Sequence, residues 1–493
     1  MRSRFLAAAA ALLLVGCASV PSRTEPGAGA SAAPAAGTAA SPSAAAAPIP
    51  VPALGPQPAL VLPAQQKFRL PNGLAVRLVE SHRLPIVAFH LVLLEAGAAR
   101  DPAGLPGVAG FTAAMVTEGT RTRSALQIAD ELGFLGASLG AGASMDAAYV
   151  SGSGLSRHLP RLLALLADVT ANPAFPPSDF ARVQDQRRVG LLQQKDQPAT
   201  IAAKTFGRLF WGDHPYGHWA GGTEESVART TREDLARFHA AHWRPGAAEL
   251  VVVGDVDRAT LEAELAKAFA GWTGAEPPRP APAEAPAAGH RTVLVEKKAA
   301  PQTFLILGMP GIARDDPDYV TAQVLFQVLG GGSSSRLFRD LREDKGYTYG
   351  VSARVSAQRL GGVSYLGGSV RADATGQAVR DMLAQVDGLR DVPVPPAELE
   401  DARNGIVRSL PGDFASVAGI AGRVAEQVVN ALPDDWWTAY PDRVRAVTPA
   451  DVQRVARRLL DTRRLTAVMV GDSLVVKPQL AGLPIGKVEV RTP

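Results

Sequence analysis

An internal repeat constrains this chain more than any other feature. The run TREDLAR, followed by LVVVGD, returns later as TPADVQR followed by AVMVGD, with the same polar and apolar order. A second pair of stretches fits the same repeat. Pro176-Pro177 corresponds to Pro395-Pro396, 219 positions later, and each pair precedes a predicted helix start. A duplicated unit predicts two similar domains. The residues that recur 217 positions later without a gap are Thr231, Asp234, Arg237, Gly254 and Asp255.

Two segments rich in Ala and Pro flank the first predicted domain. Residues 18–64 are rich in Ala, Pro, Ser and Gly, and we predict a flexible tether, because such a composition buries little apolar surface. Residues 275–289 read AEPPRPAPAEAPAAG and predict a stiff linker, since prolines restrict the backbone. The remaining chain predicts an N-terminal domain at 65–274 and a C-terminal domain at 290–483, followed by a tail at 484–493.

The first residues have the pattern of a targeting segment. Arg2 and Arg4 precede an apolar run from Phe5 to Val15, which is too short to cross a bilayer as a stable helix. The run LVGC that ends at Cys17 resembles a bacterial lipobox, in which the cysteine is lipidated. We therefore predict that residues 1–17 are a lipoprotein signal peptide.

The cysteine count supports lipidation. Cys17 is the only cysteine, so no disulfide can form within the chain, and an exported thiol needs another explanation. The alternative is an ordinary signal peptide with an incidental cysteine. Several acyl chains would hold the protein on a membrane. Ala18, rather than Asp, follows Cys17, and by resemblance to known sorting rules this favours the outer membrane, facing the periplasm.

Composition excludes one class of partner. Apolar residues make up 46% of the chain, which is enough for packed cores, and charged residues make up 20%. The formal net charge is only +4, and Lys and Arg are spread along the chain without a basic run. We therefore expect no nucleic-acid binding.

Apolar periodicity indicates α+β domains. Residues 74–79 and 86–94 predict strands, the second of them buried, and residues 159–169 and 179–195 predict helices. The strands cluster and connect through short hairpins instead of alternating strictly with helices. Each domain is therefore predicted to be a mostly antiparallel sheet with helices packed on one face.

The run GLPGVAGFTAAMVTEGT at 104–120 resembles a segment of the pitrilysin/insulinase metallopeptidase family. In that family a helix bears His-x-x-Glu-His and is soon followed by Glu-Gly-Thr. The resemblance covers nearly all of 65–483 and implies the two-domain fold of processing peptidases and LuxS-like metalloproteases. Gly110 and Ala114 occupy the positions of the two zinc-binding histidines, and Ala113 occupies the position of the glutamate base.

By the same resemblance, the third zinc ligand falls on Val189 or Gly190, because Pro198 aligns with a proline that follows this helix in relatives. Catalytic zinc needs three protein ligands and an open position for water, and these side chains have no donor atoms. None of the eight histidines lies in His-x-x-Glu-His or His-Glu-x-x-His. We expect no catalytic residue and no metal ligand on this chain, with zinc only in a partner subunit.

Two other motifs have alternative interpretations. His214 and His218 are four residues apart, but a proline and a glycine lie between them, so a structural loop is favoured over a metal site on a helix. Ser138 lies in a Gly-x-Ser-x-Gly run, which in serine hydrolases forms a strand-to-helix turn. Here Ser138 follows a predicted helix and precedes a strand predicted at 144–150, so a nucleophilic role is disfavoured.

The run GGGSSSRLFRDLREDKGYTY at 330–349 resembles a second family segment. Relatives carry there an arginine and a tyrosine, seven residues apart, that hold the substrate backbone near the zinc, and Arg342 and Tyr349 match them. We predict a helix at 333–343 that stops at Gly346. A guanidinium and a phenol can bind a peptide carbonyl and its developing oxyanion. The alternative is a surface charge at Arg342 and a core aromatic at Tyr349.

The resemblance also implies a role. Some bacterial relatives are two-chain enzymes, in which one chain provides the zinc helix and the other the arginine and tyrosine. We therefore predict a non-catalytic, substrate-binding subunit of a periplasmic zinc peptidase, which binds a zinc-bearing homologous subunit, a peptide substrate and, through its lipid, a membrane. The alternative is a peptide-binding or scaffold lipoprotein of the cell envelope with no proteolytic role. A self-sufficient zinc peptidase is disfavoured because its ligands are lost.

Overall fold

The structure is a computed structural model that describes residue 55 and residues 60–278 and 289–492. The predicted signal peptide with Cys17, most of the predicted tether and most of the 275–289 linker lie outside these residues. Leu60 and Leu62, near the end of the predicted tether, pack against the core of the C-terminal domain. No helix in the described part of the chain combines the length and the apolar content needed to cross a bilayer.

Six strands of the N-terminal domain form one sheet, in the order β1-β2-β6-β3-β5-β4. The β2 and β6 strands pair in parallel, and the other neighbours pair antiparallel. The strands are β1 Gln65–Arg69, β2 Ala75–Glu80, β3 Ile86–Leu93, β4 Ser138–Ala143, β5 Ala148–Leu155 and β6 Ala248–Gly254. The helices are α1 Val108–Met115, α2 Ala125–Leu135, α3 Leu159–Ala171, α4 Pro177–Gln194, α5 Pro198–Trp211, α6 Glu224–Arg229, α7 Arg232–His242 and α8 Arg258–Ala268.

The C-terminal domain repeats this sheet in the order β12-β7-β11-β8-β10-β9. Here β7 pairs in parallel with both β11 and β12, and the remaining pairs are antiparallel. The strands are β7 Arg291–Glu296, β8 Gln302–Pro310, β9 Gly350–Gln358, β10 Gly361–Arg371, β11 Thr466–Gly471 and β12 Val488–Arg491. The helices are α9 Tyr319–Gly330, α10 Arg336–Phe338, α11 Thr375–Asp391, α12 Pro396–Asp413, α13 Val417–Val429, α14 Trp436–Ala446, α15 Pro449–Leu459 and α16 Ser473–Gln479.

The repeat in the sequence corresponds to a repeat of elements. Thr231 and Thr448 cap α7 and α15 in the same way: each hydroxyl accepts from the backbone N–H three residues on, in a capping box that stabilises the helix start. The α4 and α12 helices begin 219 residues apart, and so do α5 and α13. The predicted fold class, two homologous α+β domains with mostly antiparallel sheets, is confirmed. The exact limits of the two domains stay predictions.

Each sheet is covered on both faces, and one of the covering helices comes from the other domain. The α13 helix packs on β3 and β6 of the N-terminal sheet, and α5 packs on β8 and β11 of the C-terminal sheet. The physical reason lies in the strands. In β6, Leu250 and Val252 enter the domain's own core, whereas Val251 and Val253 contact α13. Because alternate residues point to opposite faces, an all-apolar strand needs a cover on each side.

The strand predicted at 144–150 begins later than expected, at Ala148. The hydroxyl of Ser144 accepts hydrogen bonds from the backbone N–H groups of Asp146 and Ala147, at 3.2 Å each. This side-chain turn competes with the sheet for the backbone donors, so the chain reverses between β4 and β5 instead of extending.

Candidate functional site

The α1 helix, which carries the degenerate zinc positions, is held at its N-terminus by a buried carboxylate. Asp101 accepts hydrogen bonds from the backbone N–H groups of Gly107 (2.6 Å) and Ala109 (2.7 Å), and from the Nε2 of His218 (3.1 Å). A carboxylate there satisfies free backbone donors and interacts favourably with the helix dipole. Gly107 adopts a left-handed conformation, and a Cβ on it would lie 2.8 Å from the backbone of Gly222. The frame of the motif is therefore intact.

Gly110 faces α4 and the loop at 219–222, and Ala113 and Ala114 follow it by three and four residues on the same helix. Ala113 is fully buried, and Gly110 and Ala114 are half-buried. A Cβ on Gly110 would lie 3.3 Å from the carbonyl oxygen of Ala220. A side chain at Gly110 therefore requires this loop to shift by a few tenths of an ångström.

A guanidinium lies at this place instead of a metal ligand. Arg187, on α4, reaches to 3.5 Å from the position that a Cβ on Gly110 would take. Its Nη2 donates to the carbonyl oxygens of Gly107 (3.4 Å) and Gly221 (3.3 Å). Its guanidinium carbon, Cζ, lies 5.1 Å from the centre of the Phe111 ring. Within the described part of the chain, Arg187 has no ion-pair partner and its buried Nε has no hydrogen bond. Burial lowers the pKa of Arg187.

The two residues expected at the third ligand position do not approach α1. Val189 is 52% exposed, and a Cβ on Gly190 would have no neighbour within 4 Å. Sequence reasoning missed Arg187, although a signal was present. Val183 and Leu191 are each 5% exposed, and Arg187 lies four residues from both, so all three share the buried face of α4.

The side chains at these positions do not fit a zinc ion. Gly110, Ala113, Ala114 and Gly190 offer no donor atom, and a fixed positive charge lies where another cation would have to bind. Among the residues that the structure describes, no group of three or more His, Cys, Asp or Glu side chains could hold a metal.

The loop with His214 and His218 is structural, as predicted. The Nδ1 of His214 accepts from the backbone N–H of Tyr216 (3.0 Å), and burial lowers the pKa of His214. The hydroxyl of Tyr216 donates to Asp146 and accepts from the backbone N–H of Leu360 (3.0 Å). Because Leu360 belongs to the C-terminal domain, this loop joins the two domains.

Ser138 is the first residue of β4, on a strand and not at a strand-to-helix turn. Its hydroxyl hydrogen-bonds to that of Ser153 on the neighbouring strand, at 3.1 Å. The structure thus agrees with the interpretation that disfavoured a nucleophile here.

The segment with Arg342 and Tyr349 differs from its prediction in one detail. The helix begins at Arg336 and not at residue 333, because Ser335 turns back and its hydroxyl donates to the carbonyl oxygen of Gly332 (2.6 Å). It continues as a wider π-helical turn, Arg339–Asp344. Such turns are rare and often occur at functional sites. Gly346 has a φ of 62°, so it ends the helix in the left-handed conformation, as predicted.

Arg342 and Tyr349 are both exposed. The backbone N–H of Tyr347 donates to the carbonyl oxygen of Leu341 (2.8 Å), which holds the two ends of this short segment together. Arg342 rests over the ring of Phe338, at 4.7 Å, and has no hydrogen bond to another described residue. Tyr349 is 86% exposed, so the alternative that it is a core aromatic is wrong. Their role in substrate binding stays a prediction.

A cavity of about 900 Å³ lies between the two domains, beside this segment. Its walls come from α5 and the 216–221 part of the histidine loop in the N-terminal domain, and from β8, β9 and β10 in the C-terminal domain. Gly350, which directly follows Tyr349, and Gly221, which contacts Arg187, both line it. The cavity therefore adjoins both parts of the predicted site.

Two family models match the chain in succession. Residues 78–211 match the insulinase family, peptidase family M16, and residues 229–406 match the inactive domain of the same family. The chain belongs to the M16 peptidase family. The first match spans α1, with its degenerate positions, and the second spans Arg342 and Tyr349.

Similar M16 proteins span almost the same length. An uncharacterized zinc protease of Rickettsia bellii is 27% identical over 82% of this chain and 97% of its own length. An uncharacterized zinc protease of Streptomyces coelicolor is 26% identical over 76% of this chain and 82% of its own. These names describe zinc proteins, whereas the α1 positions here have no ligand atoms.

Solved structures agree with the fold. A crystal structure described as a peptidase M16 inactive domain from Pseudomonas fluorescens has 29% identity and a TM-score of 0.78, covering 83% of this chain and 98% of its own. A Helicobacter pylori protease, with 19% identity and a TM-score of 0.78, covers 83% of this chain and 100% of its own, and supports the fold alone. This M16 chain is thus a peptidase-like protein with the fold of an inactive member.

Proposed function

We propose that this chain is a non-catalytic, substrate-binding subunit of a zinc peptidase and that it pairs with a homologous subunit that carries the zinc. One contrast carries the proposal. The α1 site is lost and occupied by Arg187, whereas Arg342 and Tyr349 are exposed and free of hydrogen bonds to other described residues. An arginine and a tyrosine whose polar groups have no hydrogen bond to another described residue are available for a ligand.

The chemistry of the pair suits a peptide backbone. A guanidinium offers several donors in a fixed fork, and a phenol adds a donor on a rigid ring. Donors that are placed where negative charge develops on a carbonyl oxygen stabilise the transition state of peptide hydrolysis. In this proposal the partner supplies the zinc and its activated water, and this chain supplies the two donors.

The experiment tests the pair in a complex. The chain is copurified with zinc-motif homologues from the same genome, and peptidase activity of any complex that forms is measured. Arg342→Ala and Tyr349→Phe should each lower the activity about tenfold or more. Arg339→Ala is the matched control, because Arg339 is an exposed arginine in the same π-helical turn. It should leave the activity within about twofold.

Two results would count against the proposal. One is that no zinc-motif homologue binds the chain. The other is that the complex keeps full activity with both Arg342 and Tyr349 replaced, which would favour the scaffold role instead.

The proposed location is the cell envelope, with a lipid on Cys17 that holds the protein on the outer membrane, facing the periplasm. Support comes from the LVGC run and from the absence of any other cysteine in the sequence. Cys17→Ala should move the protein from the membrane fraction to the soluble periplasmic fraction, since one or more acyl chains would be lost. A variant that stays with the outer membrane would contradict this location.

A further inference from the structure

The cavity between the domains exists because the strand beneath it carries small residues. Gly350, Ser352 and Ser356, alternate residues of β9, line the cavity, whereas Ala353 and Val355 lie in the C-terminal core. Alternation along a strand separates the two faces. Glycine and serine on one face leave space that a larger residue would fill, so a cavity remains where α5 does not cover the sheet.

The rest of the wall is apolar and largely aromatic. Phe206, Trp211 and Trp219 contribute from the N-terminal domain, and Phe304 and Tyr365 from the C-terminal domain. A cavity of about 900 Å³ falls in the range of about 300–1,000 Å³ that is typical of ligand sites. Such a wall favours apolar side chains of a ligand, because their burial removes apolar surface from water.

The charged groups at this cavity are cations. Among the described lining residues there is no Asp or Glu. Arg354, on β9, lines the cavity, lies 5.5 Å from the centre of the Tyr365 ring and donates to the hydroxyl of Ser352 (3.3 Å), and it has no ion pair with a described residue. His218 also lines the cavity, but its Nε2 is bound to Asp101.

Two further cations support the opposite wall. The amine of Lys204 lies 5.4 Å from the ring centre of Trp219, and Arg187 donates to the carbonyl oxygen of Gly221. Trp219 and Gly221 both line the cavity. Neither cation forms an ion pair within the described part of the chain, and burial lowers the pKa of both. A partly buried charge without an ion pair is unfavourable, so an anion near these groups would be stabilised.

We propose that this cavity is a subsite for a peptide segment in which apolar side chains lie next to a carboxylate. The apolar side chains bind against the aromatic wall, and the carboxylate pairs with Arg354. The carboxylate is either an acidic side chain or the C-terminus of the peptide. The inference rests on the proposed function, in which this chain holds a peptide, and adds the class of peptide.

The test uses the isolated full-length chain and short synthetic peptides, with calorimetry as the measurement. One blocked peptide has consecutive apolar residues followed by aspartate. A second has lysine in place of the aspartate, and a third has serine in place of the apolar residues. A fourth replaces the aspartate with serine and ends in a free carboxylate. The aspartate peptide should bind about fivefold or more tighter than the lysine peptide, since Arg354 is exposed to solvent before binding. Whichever of the aspartate and free-carboxylate peptides binds tighter identifies the source of the anion.

Two variants of the chain distinguish a change in the cavity from a change in the stability of the fold. Gly207, in α5, lines the cavity, and a Cβ there would have no neighbour within 4 Å, so Gly207→Leu places a side chain in part of the cavity. It also removes a glycine from a helix, so the melting temperature should hold or rise. Gly133→Leu is the matched control, in α2 and with equally open surroundings. Arg354→Gln removes the charge alone.

The expected result is that Gly207→Leu weakens binding of the aspartate peptide about tenfold or more. Arg354→Gln should remove the preference over lysine, and Gly133→Leu should change neither. Equal binding of the aspartate and lysine peptides, or unchanged affinity in Gly207→Leu, would overturn the inference. The proposed function is tested separately, because it depends on the activity of a complex. If the chain shows no preference for the aspartate peptide but Arg342 is necessary for the activity of the complex, only this inference is wrong. If the preference is found but Arg342 is not necessary, only the proposed function is wrong.

Discussion

The guanidinium of Arg187 lies 3.5 Å from the point where a side chain on Gly110 would begin. The two residues are 77 positions apart in the sequence and meet because α4 packs against α1, where Phe180 stacks on Phe111 at 5.1 Å between ring centres. The degenerate M16 site therefore differs from a zinc site in more than the missing ligand atoms. A cation with carbonyl partners now lies in this space, and this contact allows a sharper test of the predicted absence of zinc than deletion would.

Restoring the ligands should not restore zinc while Arg187 is present. The restored variant carries Gly110→His, Ala113→Glu and Ala114→His and keeps Arg187, the α4 residue that faces Gly110. Its fixed positive charge beside the ligands repels Zn²⁺ and occupies its volume. Adding Arg187→Glu removes this charge and supplies a third ligand on the side of α4 that faces α1, so about one zinc per chain should bind, as measured by metal analysis after dialysis against zinc.

Arg188→Glu, in place of Arg187→Glu, provides the control for this prediction. Arg188 is the next residue on α4, exposed and paired with Asp185 on the surface, so its loss should not admit zinc. Melting curves verify that each variant is folded. Stoichiometric zinc in the restored variant with Arg187 intact would show that the guanidinium does not close the site.

The contact between α5 and the C-terminal sheet predicts a non-additive pair of mutations. Gly308 lies on β8, and a Cβ there would be 2.2 Å from the Phe206 ring. Gly308→Ala should lower the free energy of unfolding by about 1–3 kcal/mol through overpacking. Phe206→Ala should cost about 3–5 kcal/mol through the cavity it leaves. In the double variant the methyl enters that cavity, so the loss should be smaller than the sum.

Urea unfolding of the four proteins measures this coupling. Gly133→Ala, at an open helical position, is the control and should be neutral or slightly stabilising. Additive losses would mean that the Phe206 ring moves away from Gly308 without cost.

The hydroxyl of Tyr216 joins the domains, and its removal should be costly. The hydroxyl of Tyr216, a residue that is 3% exposed, bonds to Asp146 and to the backbone of Leu360, so Tyr216→Phe removes a hydrogen bond from each of these half-buried partners. The free energy of unfolding should fall by about 1–3 kcal/mol, measured by urea unfolding. Tyr349→Phe, at an exposed residue, should change it by less than about 0.5 kcal/mol. Equal effects of the two changes would contradict a role for this loop in joining the domains.

Stability should fall below pH 6.5 partly because of His239. Burial lowers the pKa of His239 from 6.5 to about 4, although its Nε2 hydrogen-bonds to the carbonyl oxygen of Thr170 at 2.8 Å. The unfolded chain therefore binds a proton between these pH values that the folded chain does not, and stability decreases as pH falls through this window. Across this whole pH window, the protonation of His239 lowers the free energy of unfolding by about 3 kcal/mol.

His239→Gln should flatten this part of the pH profile, since the amide keeps a donor for Thr170 but does not titrate. The free energy of unfolding of both proteins is compared by urea unfolding between pH 7 and pH 4. If the free energy of unfolding depends on pH in the same way in both proteins, the pKa of His239 is not lowered by folding.

Local patterns in the sequence determined the fold class and the repeat. The caps at Thr231 and Thr448 depend on residues three apart, and the strands and helices depend on apolar spacing within one element. The loss of zinc ligands at Gly110 and Ala114 was also visible in the sequence, because donor atoms are a property of the side chain itself. Even Arg187 left a local signal, through its spacing from Val183 and Leu191.

Only the tertiary structure decided which distant groups meet. The sequence contains Arg187, Gly110, Phe206 and Gly308, but their contacts arise when helices pack on elements far away in the chain. It did not show that each domain sends a helix onto the other sheet, or that the cations around the inter-domain cavity have no described acidic partner. Burial and pairing depend on what surrounds a side chain after folding, and periodicity along one segment carries no information about those neighbours.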